Sequence, residues 1–452
     1  MIAGSLAAIR FVLSARNSDA RLTEQPPLQR NGDATPLRRV LVGTEQRFQV
    51  HLGFGGAFTE AAATVWQGLP EPAREQLLHD YFDPVAGHGY TLGRVHMSSC
   101  DFALGNYAHA EALDDFALDS FSIARDRQAL LPFLQAAARV AARPIQLLAT
   151  PWSPPAWMKT NGEMNHGGRL RPECRAAWAQ CFVRFIRAYG AEGVPIWGVS
   201  VQNEPDATQR WDSCLYSAEE ERDFVRDHLG PALHGAGLGH IKIVVWDHNR
   251  DLMVERASVI YRDAEAAKYV WGTGFHWYGE DNFDHVQTVH DAWPEKQLLF
   301  TEGCQEGGPH LGSWEVGERY ARSIISDLNR WTVGWIDWNL LLDERGGPNH
   351  AGNFCSAPIL ADTARGTLMH QSSYWVLGHF ARFIRPGAQR VSCVVTSPEV
   401  EATAFVNPDA TTVVVATNRQ DHALHFALEI DNMLWRVELP PRSIATCVAP
   451  PA

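Results

Sequence analysis

Eight short, nearly continuous apolar runs alternate with amphipathic stretches along most of this chain, and few folds accept that pattern. The runs are Phe54–Thr59, Leu92–Met97, Ile145–Thr150, Ile196–Gln202, Ile243–Asp247, Thr273–Tyr278, Leu298–Thr301 and Gly334–Leu340. Helical spacing appears at Glu71–Tyr81, Asp126–Ala142, Pro172–Tyr189, Ser217–Leu229, Val254–Ala264, Trp314–Asn329 and Met369–Phe383. Strands that are apolar on both faces belong to parallel sheets covered by helices. Eight such units close an α/β fold, the (β/α)8 TIM barrel.

Beyond Arg390 the pattern changes. Short β-rich runs at Val391–Val395, Ala402–Val406, Thr411–Thr417, His422–Ile430 and Leu434–Leu439 are separated by turn residues such as Asn407-Pro408-Asp409. These read as antiparallel strands of a β-sandwich. The first fifty residues carry strand-like Ile9–Ser14 and Arg38–Val42 and no strong helix. Chain ends often lie together, so the expected organisation is an attached β-sandwich built from both ends. Residues 1–50 supply its N-terminal strands, 51–385 form a catalytic barrel, and 386–452 form the rest of the sandwich.

The 452 residues include 39 Lys and Arg against 52 Asp and Glu, a net charge of −13. That balance argues against nucleic acid, which is bound through basic contacts to phosphate. No run approaches the ~20 apolar residues of a transmembrane segment. Met1–Arg10 has no basic patch before a long apolar centre, so no signal peptide is read there and a cytoplasmic location is favoured. Eight scattered Cys, with no C-x-x-C, are expected to be free thiols. Cys174 and Cys181, seven apart, suit packing on one helical face.

In such a barrel, chemistry sits at the C-terminal ends of the strands. The fourth run leads into Asn203-Glu204-Pro205 and the seventh into Thr301-Glu302-Gly303. One such Glu alone is commonly solvated or structural. Two at strands four and seven can flank a glycosidic bond, one as nucleophile and one as acid then base, ~5–5.5 Å apart in the retaining mechanism. The acid needs a raised pKa and the nucleophile must stay ionised. Glu204 suits acid/base, because Asn203 beside it can offer an amide to a sugar 2-hydroxyl. Glu302 suits the nucleophile.

The chain resembles glycoside hydrolase family 30, specifically its glucosylceramidase branch, from about Gly53 to the C-terminus. The resemblance rests on an ordered set of motifs: Gly53-Phe54-Gly55-Gly56-Ala57, Met97-Ser98-Ser99-Cys100-Asp101-Phe102, Pro151 through Gly162, Asn203-Glu204-Pro205, His276-Trp277-Tyr278, Thr301-Glu302-Gly303-Cys304, Gly334 through Asn339, Gly346-Gly347-Pro348-Asn349 and Leu377-Gly378-His379-Phe380. It implies Glu204 as acid/base and Glu302 as nucleophile. It further implies a sugar pocket of Asp101, Trp152, Asn203, Trp338 and Asn353, with no metal and no organic cofactor. Asp101 suits two sugar hydroxyls and the two Trp offer flat faces to a pyranose. Tyr278 can donate to Glu302, while Arg94 and His276 can orient the carboxylates. Lys159 and Asn161 fall on a rim loop. His96, the loop Cys304–Gly308 and a short Asp206–Cys214 segment depart from the family pattern. The aglycone therefore stays open: ceramide, an alkyl or aryl group, or another sugar.

The expected activity is hydrolysis of a terminal β-glucosyl residue from a β-glucoside or glycolipid substrate, with peripheral lipid contact compatible with it. The same chemistry on a β-xyloside, β-fucoside or β-1,6-glucan is the alternative. A non-catalytic carbohydrate-binding protein would have no use for a proton donor beside a nucleophile. A metal hydrolase using Asp247, His248, His276 and His285 lacks paired His spacing, and no G-x-S-x-G supports an acyl hydrolase.

Overall fold

The computed structural model describes residues 8–30 and 38–451. The reading of Met1–Arg10 therefore lies largely outside the described residues. Eight parallel strands close a barrel: β1 (Gly53–Phe58), β2 (Leu92–Met97), β3 (Gln146–Pro151), β4 (Ile196–Ser200), β5 (Lys242–Asn249), β6 (Val270–His276), β7 (Gln297–Glu302) and β8 (Thr332–Asn339). Closure comes from β8 pairing in parallel with β1, Gly334 opposite Gly53 and Trp335 opposite Phe54. Leu92, Leu148, Val244, Leu299 and Ile336 form a separate buried cluster of strand residues, and the larger barrel core packs strands against helices.

Glycines let neighbouring strands touch. A Cβ on Gly55 would stand 1.9 Å from the Leu92 carbonyl oxygen, and one on Gly272 would stand 2.2 Å from that of Gln297. No side chain fits between backbones at that spacing.

A nine-stranded sheet joins the chain ends. Ile9–Ala15 pairs antiparallel with Ser443–Ala449, and Arg39–Val50 lies between Leu424–Ile430 and Gln389–Val395. Its core is a second apolar cluster that includes Ile9, Val40, Phe426 and Trp435. His379, on the helix Ser372–Ala381, bonds Ser14 and Thr446 at 2.9 Å each and so ties barrel to sheet.

Several elements differ from the sequence reading. Asp126–Ala142 is helical only over Leu130–Val140. Asp126 instead sits buried, accepting from Tyr107, Tyr189 and His109. Helices Glu60–Gly68 and Phe283–Ala292 were not anticipated. Nor was a small sheet of Leu341–Asp343, Ile359–Asp362 and Thr367–His370 after β8. Thr367–His370 pairs with Ile359–Asp362, so the following helix starts at Ser372 rather than Met369. Strands Thr23–Leu28 and Ser443–Ala449 were also missed, the first because it carries two prolines. All eight cysteines are free, and Cys174 and Cys181 are buried.

Candidate active site

The site lies where the barrel strands end. Glu204 follows β4 in the left-handed region, φ 47°, and Trp246 and Asp247 at the end of β5 share that conformation, φ 70° and 50°. Such strained residues cluster at functional sites. They are cross-tied: the Glu204 N–H donates to the Asp247 carbonyl at 3.0 Å, and the Asn203 N–H to the Pro151 carbonyl at 2.8 Å. Glu302 ends β7, paired with His276 at the end of β6.

One cavity of about 210 Å³ collects Asp101, Trp152, Asn203, Glu204, Tyr278, Glu302, Trp338 and Asn353. That volume falls below the ~300–1,000 Å³ of pockets for drug-sized ligands, so it suits one sugar ring. A larger cleft of about 460 Å³, lined by Tyr107, Trp157, Glu163 and Met164, includes neither carboxylate.

Arg94, on β2 and fully buried, is the hub. Its Nη1 donates to Glu302. Its Nη2 donates to both Asp247 and Asn203 at 2.8 Å. Because the Asn203 carbonyl is thereby occupied, its NH2 is left as the donor on offer. His276 bridges Glu204 at 3.2 Å and Asp247 at 3.0 Å. Tyr278 Oη donates to Glu302 at 2.9 Å.

Burial disfavours charge on every one of these groups, and their neighbours decide the outcome. For Asp247, Arg94 and His276 outweigh burial and hold the carboxylate far below its ordinary value. For His276, burial is outweighed by Glu302, Asp247 and Glu204, which push the imidazole up to about 9. Burial, with Glu204 and Asp247 adding to it, leaves Glu302 above its ordinary value despite His276 and Arg94. Glu204 is held below its ordinary value, burial being outweighed by His248, His276 and Arg94. This ordering is the reverse of what the two roles suggest from sequence.

Asp101 also departs from the simple reading. Burial and the charge of Glu302 raise it well above the usual carboxylate range, against the Asn353 amide that donates to its Oδ2 at 3.0 Å. Its Oδ1 is buried without a partner, an orphan that a sugar hydroxyl would satisfy. Trp152 and Trp338 line the cavity but stack on each other, 5.2 Å between centroids, with Arg94 over both. Those mutual faces cannot receive a sugar. Half-buried Trp211 also lines the cavity; sequence reasoning missed it together with Gln209 and the bonds of Asp247 to Arg94 and His276. The polar run Asp247-His248-Asn249 directly after apolar Ile243–Trp246 was the available signal.

The two residues expected on a rim loop, Lys159 and Asn161, bond neighbouring carbonyls and do not line this cavity. Lys159 is buried, its ammonium donating to the Met164 and Ser213 carbonyls. Asn161 donates to Asn165. His96 accepts the Glu60 N–H at 3.0 Å and supports a helix start.

Glu204, His248 and His276 bring ligand-type atoms within 4.8 Å of one another. Metal binding needs neutral imidazoles, whereas His276 is held protonated between two carboxylates. His285 donates to the Arg250 carbonyl, outside this group. A metal there would have to displace the proton that Glu302, Asp247 and Glu204 favour on His276.

Comparison with known proteins follows the same lines. The TIM-barrel domain of glycosyl hydrolase family 30 matches residues 51–384, and the family's beta sandwich domain matches 387–447. The lysosomal acid glucosylceramidase of Mus musculus is 38% identical over 411 residues, 87% of this chain and 79% of that protein. The crystal structure of SrfJ from Salmonella typhimurium superposes with TM-score 0.94 at 36% identity, covering 99% of this chain and 100% of that one. An endo-beta1,6-glucanase structure gives TM-score 0.88 at 26% identity over 99% and 100% of the two chains.

Proposed function

Because this chain belongs to glycosyl hydrolase family 30, a family of retaining β-glycosidases, we propose that it removes one terminal β-glucosyl residue from a glucosylceramide-type glycolipid. The observation that carries this reading is that Glu204 and Glu302 line one ring-sized cavity and are wired together beneath it by Arg94, Asp247 and His276. The similarity to glucosylceramidases supports the sugar and the lipid. Apolar surface supports the lipid too: Leu104, Leu311 and Phe354 are exposed on the loops that follow Asp101, Glu302 and Asn353.

In the proposed reaction Glu302 attacks the anomeric carbon while Glu204 gives its proton to the glycosidic oxygen, and the aglycone leaves as an alcohol. Water then attacks the glycosyl-enzyme, with Glu204 taking its proton and Glu302 leaving as a carboxylate. Glu302 accepts from Arg94 and Tyr278, the two donors a nucleophilic carboxylate needs. The first charge holding Glu204 low is that of His248, whose own pKa burial depresses. Near neutral pH His248 is therefore uncharged, and Glu204 loses that restraint. A bound sugar removes water from it further, and both changes move the proton toward Glu204. The two carboxyls titrate as a pair, so the proton's seat is set by these neighbours.

Trapping with a 2-deoxy-2-fluoroglucoside and mapping the labelled peptide tests the reading. Label on Glu302 is expected, with β-glucose as the first product anomer seen by NMR. Label elsewhere, or the α-anomer first, would refute it.

A further inference from the structure

Beside the cavity, on the loops after β4 and β8, two buried polar atoms face each other without a bond. Asp212, on the loop after β4, is 1% exposed. Its Oδ1 accepts from Ser99 Oγ at 2.5 Å and from Asn106 Nδ2 at 3.0 Å. Its Oδ2 has no partner. His350, on the loop after β8, places Nδ1 2.9 Å from the Ala103 carbonyl. A carbonyl only accepts, so Nδ1 carries the proton. His350 Nε2 also lacks a partner and stands 3.7 Å from Asp212 Oδ2.

In the neutral imidazole, then, a lone pair on Nε2 faces a lone pair on the carboxylate. Only a second proton turns this contact into a charge-assisted hydrogen bond, after a shift of under an ångström. The flanking residues reach the substrate space. Gln209 and Trp211 line the cavity beside Asp212, and Asn353 lines it three residues after His350. Of the nearby charges, Arg210 caps the Gly352 carbonyl at 3.1 Å, Asp101 is engaged by Asn353, and the buried Lys159 ammonium, which Asp212 attracts, donates to the Met164 and Ser213 carbonyls. Asp212 is the ionisable group set against the imidazole.

We propose that Asp212 and His350 form a proton-operated clasp that draws the loops after β4 and β8 together beside the pocket. They are positioning residues: one proton is taken up from solvent, and no other bond breaks. Only the kinetic readout rests on the glycosidase reading.

The test uses the full chain and octyl β-glucoside. The His350 imidazole resonance is identified by its loss in His350→Leu and titrated in the unsubstituted protein. As pH falls through that midpoint, KM should drop about tenfold, the weight of one charge-assisted bond, with kcat steady. Asp212→Asn keeps an oxygen for Ser99 and Asn106 and turns an NH2 toward neutral Nε2. It should give the low KM above the His350 midpoint, where the unsubstituted protein has the high one, and should lower that midpoint, because an NH2 cannot bond a protonated Nε2. His350→Leu should hold the high KM at every pH. A KM step that persists in both variants, or is absent without substitution, overturns the clasp. So does a His350 midpoint indifferent to Asp212→Asn. If no β-glycoside is turned over, the glycosidase reading fails, and the resonance alone decides the clasp.

Discussion

Arg94 sets the electrostatics on which both carboxylates depend, and its partners respond to substitution in different ways. Tyr278→Phe removes one of the two donors to Glu302. Hydrogen bonds to charged groups contribute about 1.5–3 kcal/mol, so kcat/KM should fall about ten- to a hundredfold with the fold intact by circular dichroism. Glu302→Gln should abolish turnover of the natural glycoside. Glu204→Ala should slow alkyl glucosides far more than nitrophenyl ones, since a good leaving group needs less protonation; equal slowing would remove the acid role. His276 carries a pH signature. Its folded pKa of about 9 exceeds the unfolded value of about 6.5. The stability it lends is complete below about 6.5 and disappears as pH rises through 9. Denaturant midpoints should therefore decline between those values, less so in His276→Asn. At this scale the convergence of Glu204, Glu302 and Tyr278 on one cavity was legible, because their motifs fall at the ends of barrel strands. Asp247 was only partly so: the polar run after apolar Ile243–Trp246 marks its position, but not its bonds to Arg94 and His276.

Among elements, the barrel strands were read well because parallel strands buried on both faces show as apolar blocks. Short helices such as Glu60–Gly68 were lost. That one starts on a cap, the Thr59 hydroxyl accepting from Ala62 at 3.1 Å, and it is too apolar all round to show a stripe. The helix Ala218–Phe224 falls within the helical spacing of Ser217–Leu229, and in the structure it starts on a capping box at Ser217 and Glu220. The glycines carry an element-level prediction. Gly55→Ala should cost about 1–3 kcal/mol or more, because its Cβ meets a backbone carbonyl that cannot swing aside. A surface change such as Gly68→Ala, with nothing within 4 Å, should not. Thermal unfolding of the two variants side by side gives the answer.

For the molecule as a whole, the joint between barrel and sheet is sensitive to acid. His51, between Phe54 and Phe405, and His379, between Ser14 and Thr446, are fully buried, and burial holds both pKa values down at about 3. Each folded pKa lies below the unfolded one of about 6.5. Their contribution is complete above that pH and is lost as pH falls toward 3, by at most ~1.4 kcal/mol per pH unit per group. Urea midpoints should fall from pH 7 to pH 5, and His51→Leu should flatten that decline. The joint was only half legible: periodicity marks strands near both termini, but it cannot say which strand pairs with which. Here Gln49 and Arg390 bond across 341 positions of sequence. A ribosome makes the strand Arg39–Val50 early and its neighbours last, so throughout synthesis that strand has bare edges on both sides. The nascent protein must be kept from strangers until its final segment emerges, and a chain stopped short of Gln389 would display an open template for aggregation.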